Sequence, residues 1–120
     1  MPILKIFTNV PKSQISKDFM GKVIPALVDG VKKEADKFTC IVESDCFLSM
    51  DGDPTSPAVS ASLESIGHLG PEQNIYITKL LTAVMQKELG VKPGRFLLTF
   101  YDLAPYNVAK NGTTIADLEF

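Results

Sequence analysis

Cysteine and histidine are scarce in this sequence. The 120-residue chain contains two cysteines, Cys40 and Cys46, and a single histidine, His68. Neither cysteine has a second cysteine or a histidine at the spacing of a metal site, and one pair cannot form a disulfide scaffold. The sequence therefore predicts no metal centre and is typical of a protein from a reducing, cytoplasmic compartment.

The sequence has no cluster of like charges and no long hydrophobic run. The chain has 12 Lys and Arg against 14 Asp and Glu, and the basic residues are scattered along it. Without a basic cluster to contact phosphates, nucleic acid is not an expected partner. No apolar run approaches the roughly 20 residues of a membrane span, so we expect no membrane insertion. The apolar segment 3–7 is too short for a signal peptide, so secretion would need a signal-peptide-independent route.

The first half of the chain has the apolar pattern of a strand, a helix and a second strand. Ile3–Phe7 predicts a short strand. From about Ser16, a candidate N-cap, a stripe of apolar residues has helical spacing. Its members are Phe19, Val23, Leu27 and Val31. Pro25 falls inside this helix, where proline costs about 3 kcal/mol, so we expect a bend there. A second strand is predicted at Phe38–Glu43.

The second half repeats this order. Residues 59–64 alternate between apolar and polar and predict a strand. A helix is expected to begin at Pro71 and to end at Gly90. Its apolar residues are Ile75, Leu80, Leu81, Val84, Met85 and Leu89. Phe96–Tyr101 predicts the last strand, and Phe96 follows Phe38 by 58 positions. We therefore predict one domain, residues 1–120, built from two pseudo-repeats, 1–57 and 58–120.

Two tandem β-α-β units predict an α+β fold with a four-stranded sheet. Right-handed crossovers would place both helices on one face of that sheet. The opposite face then carries side chains that need cover, and so short a chain has no third layer to supply it. Another subunit is the natural source of that cover, so we expect a homo-oligomer.

Pro2 is of chemical interest if Met1 is removed, because its ring nitrogen then becomes a free secondary amine. A free α-amino group titrates near pH 7.7–8.0, roughly, and a secondary amine is normally more basic. Burial in an apolar pocket beside a cation lowers such a pKa. The amine could then act as a general base near neutral pH. The alternative is that Pro2 is an ordinary small residue in a loop or at the start of a strand, without a chemical role.

Four short motifs follow Pro2 in order: Thr8-Asn9-Val10-Pro11, Ser65-Ile66-Gly67, Tyr101-Asp102-Leu103 and Asn111-Gly112-Thr113-Thr114. On two β-α-β units, they resemble the macrophage migration inhibitory factor / D-dopachrome tautomerase family. The resemblance covers essentially the whole chain, with one extra residue between Asp45 and Pro57. It implies a homotrimer that needs no cofactor and that uses the N-terminal proline as the base of a keto-enol tautomerase.

The resemblance also implies a pocket at the subunit interface. Pro2 and Lys33 are its catalytic residues, with Lys33 binding the substrate carboxylate and stabilising charge on the enol oxygen. Lys32 is adjacent, so this assignment stays open by one residue, and both could be ordinary lysines at a helix C-terminus. The implied substrate-binding residues are Lys33, Ser65, Ile66, Leu97, Thr99, Val108 and Ile115.

Several positions depart from the pattern of migration inhibitory factor. Leu97 and Thr99 replace a tyrosine and an asparagine that a neighbouring subunit contributes, and Leu97 resembles the D-dopachrome branch. Lys110 and Ile115 replace aromatic residues of the C-terminal rim, and Lys37 replaces another. The pocket mouth should therefore be more cationic, and its wall at Leu97 cannot donate a hydrogen bond.

The sequence gives less support to a redox activity or to catalysis by His68 or Glu64. Ala58 and Ala61 occupy the places of the family's Cys-x-x-Cys motif, so we reject a redox function. His68 has no nucleophile motif around it and is interpreted as a solvated loop residue. Glu64 lies near the expected pocket, but its place in the alternating pattern also suits the polar face of a strand.

Three functional hypotheses remain open. The first is tautomerisation of a small aromatic keto acid, such as phenylpyruvate, or of a dopachrome-like substrate. The second is a cytokine-like ligand of a cell-surface receptor of the MHC class II invariant chain type. The resemblance assigns Lys12 and Asp45 to a charged pair for chemokine-receptor contact, although lysine stands where the family has arginine. The third is a pocket that has lost its physiological substrate.

Overall fold

Strands and helices follow one another in the order that the two pseudo-repeats predict. The computed structural model describes residues 1–118, so Glu119 and Phe120 lie outside the described residues. The long helices and main strands are β1 (Ile3–Thr8), α1 (Phe19–Val31), β2 (Thr39–Glu43), β3 (Val59–Ser65), α2 (Pro71–Leu89) and β4 (Phe96–Asp102). The C-terminal segment adds β5 (Ala109–Lys110), β6 (Thr113–Thr114) and α3 (Ile115–Leu118).

The four main strands form one mixed sheet in the order β2-β1-β3-β4. β1 is parallel to β2, β3 is parallel to β4, and the two repeats meet where β1 runs antiparallel to β3. Alternate residues of the sheet and the inner stripes of both helices belong to one buried core. Its completely buried members include Leu4, Leu63, Val23, Leu27, Ile77 and Leu81. The predicted α+β fold, with both helices on one face of the sheet, is confirmed.

Helix α1 carries the predicted apolar stripe but begins later than expected. Ser16 is not its N-cap, because Asp18 occupies that position. Ser16 instead accepts a hydrogen bond on its hydroxyl from the Asp18 amide, at 3.1 Å, in the turn before the helix. The helix continues through Pro25, which lies on its exposed side. Burial of the stripe on the other side outweighs the hydrogen bond that proline removes.

Helix α2 has the predicted bounds, with Pro71 in its first turn and Gly90 in the left-handed conformation at its end. Its buried stripe is narrower than the predicted apolar set, because Leu80 and Val84 are only half-buried, and it is shifted at its first residue. Ile75 is 61% exposed, whereas Ile77 is completely buried. Ile77 and Leu81 are four positions apart, so they lie on the same face of the helix, which packs on the sheet. Ile75 is two positions before Ile77 and therefore points away from that face.

The sheet face opposite the helices carries large apolar side chains. Phe7, Ile41, Leu97 and Tyr101 are all exposed on it, and Leu97 is 57% exposed. Phe47, in the loop after β2, is fully exposed. Apolar surface of this kind marks an interaction site, as the layer argument predicts. Among residues 1–118, no helix has the length and hydropathy needed to cross a membrane.

Candidate active site

Pro2 is buried at the start of β1, between the ends of two neighbouring strands. Its carbonyl oxygen accepts a hydrogen bond from the Thr39 amide of β2, at 3.0 Å. On the other side, Ile3 is paired with Glu64 of β3. Extending that antiparallel register by one residue places Ser65 opposite Pro2. The backbone therefore brings Pro2 and Ser65 together at one end of the sheet.

The Ser-Ile-Gly motif forms a hydrogen-bonded turn at this same end. The buried Ser65 hydroxyl donates to the Gly67 carbonyl at 2.8 Å, and the Gly67 amide donates to Asp102 Oδ1 at 3.0 Å. The Leu103 amide donates to the Ser65 carbonyl at 2.8 Å. Two of the four motifs thus form one unit, and the half-buried Ile66 in it directly follows Ser65, the residue opposite Pro2.

Lys32 and Lys33 have different surroundings. The Lys32 ammonium lies 3.2 Å from Asp29 Oδ1 and 5.3 Å from the centroid of the Tyr76 ring. Hydrogen bonds from Tyr76 and then from Lys32 lower the pKa of the Asp29 carboxyl. Lys33 is half-buried and makes no hydrogen bond or ion pair with any residue among 1–118. Of the two lysines, Lys33 is the one whose ammonium is available to a ligand.

His68 is an exposed residue of the loop after β3, as expected from the sequence, but its ring also makes a specific contact. Its Nδ1 lies 2.7 Å from the carbonyl oxygen of Val31, the last residue of α1. A carbonyl oxygen only accepts, so Nδ1 must carry the proton and donate it. The contact joins residues 37 positions apart, and no local sequence pattern signals it.

Leu97 and Thr99 lie far from Pro2 of the same chain. Leu97 is paired with Ser60, and Ser60 is paired with Phe7 near the opposite end of β1. Pro2 and Phe7 are five positions apart, or about 17 Å along a strand. Leu97 and Thr99 are both exposed on the face of the sheet that points away from the helices. A single chain does not bring them to Pro2, so only another subunit's Leu97 and Thr99 could line its pocket.

Val108 and Ile115 belong to the C-terminal segment that leaves β4 beside Ser65. The Ile115 amide donates to the Val108 carbonyl at 2.8 Å. Val108 is half-buried, but Ile115 is only 5% exposed, packed at the start of α3. Between them, Asn111 and Gly112 have φ angles of 59° and 85°, as a two-residue Asn-Gly hairpin turn requires. The substrate contacts of Val108 and Ile115 stay predictions.

The first motif lies at the other end of the sheet and has a structural role. The Thr8 hydroxyl donates to the Ala58 carbonyl at 2.8 Å, and Asn9 Oδ1 accepts from the Ala58 amide at 2.9 Å. These contacts join the end of β1 to the start of the second repeat. The Lys12 amide also donates to Asp45 Oδ2 at 3.1 Å, so the expected charged pair is adjacent there.

Two other titratable groups of the sheet are a paired carboxylate and an unreactive thiol. Glu64 forms a 2.9 Å ion pair with Lys5 on the face away from the helices. Burial raises the pKa of the Cys40 thiol to about 11, which keeps it protonated and a poor nucleophile. In the described part of the chain, no three potential ligands lie together as a metal site would need.

Comparison with known proteins agrees with this geometry. The model of a family described as macrophage migration inhibitory factor matches residues 1–116. The migration inhibitory factors of Xenopus laevis and Rattus norvegicus are 34% and 31% identical over 116 residues, covering 97% of this chain and 100% of each relative.

Solved structures show the same fold. The factor from Trichinella spiralis superposes with a TM-score of 0.88 at 26% identity, over 93% of this chain and 98% of that one. The factor from Oncomelania hupensis gives 0.89 at 24% identity, over 95% and 82%. The chain belongs to the macrophage migration inhibitory factor family.

Proposed function

We propose that this protein is a cofactor-independent keto-enol tautomerase of small aromatic keto acids or dopachrome-like substrates. Family membership supports a tautomerase or cytokine type of function, and the surroundings of Pro2 favour the first. The observation that carries the proposal is the buried Pro2, which lies between Ser65 of β3 and Thr39 of β2. The unpaired Lys33 lies on the connection between α1 and β2 that leads to Thr39.

The proposed reaction moves one proton. After removal of Met1, the neutral Pro2 amine takes a proton from the carbon next to the substrate's carbonyl, and the electron pair moves onto the carbonyl oxygen. The Lys33 ammonium binds the carboxylate and stabilises the developing oxyanion. The protonated amine then returns the proton to the oxygen. Burial disfavours the charged amine and keeps it available as a base.

Comparison of Lys33→Ala with Lys32→Ala tests this proposal. With phenylpyruvate as substrate and ultraviolet absorbance as the readout, Lys33→Ala should lower kcat/KM by about 10²-fold, because one electrostatic contact to the transition state is lost. Lys32→Ala is the matched control and should stay within about twofold, because that ammonium is paired with Asp29. Equal losses in the two variants would reject Lys33 as the specific cation, and an inactive wild-type protein would reject the proposed function.

We also propose a homotrimer in which Leu97 and Thr99 of one subunit reach the Pro2 end of the next. The exposed apolar face of the sheet and the separation of Leu97 from Pro2 support this assembly. Sedimentation equilibrium should give a mass near three times 13.1 kDa. A monomer at micromolar concentration would be incompatible with the shared pocket.

A cytokine-like role is the second candidate, favoured by the adjacency of Lys12 and Asp45. The Lys12 amide is bound by Asp45, while its ammonium makes no ion pair with any described residue. A receptor with an acidic surface would meet this cation, in line with the chemokine-receptor contact that the resemblance implies for Lys12 and Asp45. Lys12→Ala should weaken receptor binding in surface plasmon resonance by about fivefold and leave tautomerase activity unchanged. Unchanged binding would remove the observation that favours this role.

A further inference from the structure

One side chain joins the turn after β3 to the end of α1. His68 Nδ1 donates to the Val31 carbonyl at 2.7 Å, and Val31 is completely buried. The last four carbonyls of a helix have no partner within it, and an unpaired one is costly when buried. His68 reaches this carbonyl because Gly67 and His68 both have positive φ, 71° and 63°, and turn the chain back toward α1.

The segment between α1 and β2 is held at both ends. At its beginning, His68 binds the Val31 carbonyl, and the Lys32 amide donates to the Val28 carbonyl at 3.1 Å. At its end, the Thr39 amide donates to the Pro2 carbonyl. Lys33 lies between these anchors, and no side-chain hydrogen bond or ion pair within residues 1–118 holds it. Its position therefore depends on the backbone on either side.

The turn that carries His68 is itself fixed to the sheet. The Gly67 amide is bound by Asp102, and the Ser65 hydroxyl is bound by the Gly67 carbonyl. Ile66 lies within this turn. His68 is thus the side-chain link between the segment that carries Ile66 and the segment that carries Lys33.

We infer that His68 is a positioning residue of the proposed active site, which sets the position of Lys33 relative to Pro2 and Ile66. The inference rests on the proposed tautomerase function. His68 contacts neither reacting atom; it acts through the Val31 carbonyl. Neutral and protonated imidazole both donate from Nδ1 here, so the N–H donor is what this position requires.

Two substitutions distinguish the need for a side-chain N–H donor at position 68 from the need for a positive φ angle there. Asparagine adopts positive φ more readily than most residues and keeps an N–H donor, whereas glycine adopts it freely and donates nothing from a side chain. His68→Asn should therefore retain the link, and His68→Gly should lose it without backbone strain.

The test compares phenylpyruvate with its methyl ester, which lacks the carboxylate that Lys33 would bind. We expect His68→Gly to raise KM for the acid by about tenfold and to leave KM for the ester within about twofold, because only the acid has a carboxylate for Lys33 to bind. His68→Asn should restore most of the acid's KM. A merely structural role would change acid and ester equally, and that result would overturn the inference.

A spectroscopic measurement is independent of turnover. His68 is the only histidine in the chain, so its imidazole nitrogens can be assigned directly in a ¹⁵N spectrum. At a pH where the ring is neutral, the proton should reside on Nδ1. An Nε2–H tautomer would overturn the inference even in an active enzyme. An inactive wild-type protein would reject the proposed function and the role of His68 together, whereas an active one with equal acid and ester effects would reject only the latter.

Discussion

Protein that retains Met1 is expected to lose about 10²–10⁴-fold in tautomerase activity, the range that a positioned general base contributes. An amide bond between Met1 and Pro2 removes the amine's basicity completely. The fold should be unaffected, because the described chain already includes Met1, with Pro2 buried and hydrogen-bonded to Thr39. Phenylpyruvate turnover should be compared between processed and unprocessed protein, with mass spectrometry reporting the first residue of each.

Pro2→Gly is the informative companion to that experiment. After Met1 removal it presents a primary amine without the fixed ring, so activity should be reduced rather than abolished. In the native protein, the rate should rise with pH through one ionisation, as the amine loses its proton. Full activity with Met1 in place would leave the N-terminal base without support, whatever the variants show.

Arg95→Ala is expected to lower the free energy of unfolding by about 2 kcal/mol, in line with the loss of hydrogen bonds from a charged group. The Arg95 guanidinium donates to the carbonyls of Met50 at 2.5 Å, Asp53 at 3.0 Å and Ser56 at 2.7 Å. Its side chain is only 12% exposed. Removing the guanidinium takes away one of the two donors that each of these carbonyls has, because the Met50 and Asp53 carbonyls also accept from each other's amides and the Ser56 carbonyl also accepts from the Asn9 side chain.

Urea denaturation should show this loss as a lower midpoint with an unchanged slope. Arg95→Lys is the matched control: it keeps the charge but can reach fewer carbonyls, so it should fall between wild type and Arg95→Ala. An Arg95→Ala midpoint equal to that of wild type would show that the loop holds itself. The same loop presents the exposed Phe47, so we expect weaker assembly in the variant as well.

Asp53 makes the stability of this loop depend on pH in the acidic range. Hydrogen bonds from Ser56 and then Thr55 lower the pKa of the Asp53 carboxyl. A carboxyl with a lower pKa in the folded state contributes stability above its unfolded value of about 3.9, and that contribution is lost as the pH falls further. The difference between wild type and Asp53→Asn should therefore shrink on acidification below about pH 4.

Helix α2 shows what a sequence can predict alone. Proline in its first turn and glycine at its end are local signals, and the structure begins and ends the helix there. In α1 the predicted start is wrong by about two residues, because Ser16 and Asp18 are both residue types that favour the N-cap position and the local sequence does not separate them.

The candidate site was less predictable, because its distinctions are tertiary. Which lysine is free depends on Tyr76, which approaches Lys32 from the other helix. The role inferred for His68 depends on a carbonyl 37 positions away. Neither relation leaves a local pattern in the sequence, whereas the strand pairing beside Pro2 follows from the alternating residues of β1 and β3.

The distance between Leu97 and Pro2 along the sheet has a genetic meaning. In the proposed trimer each pocket takes its base from one chain and its wall from the next, so a defective copy is not silent. A chain with a damaged Leu97 would spoil the pocket of a healthy neighbour while keeping a usable base of its own. Two differently damaged alleles could then complement each other inside one particle, and a single bad allele could act dominantly over a good one.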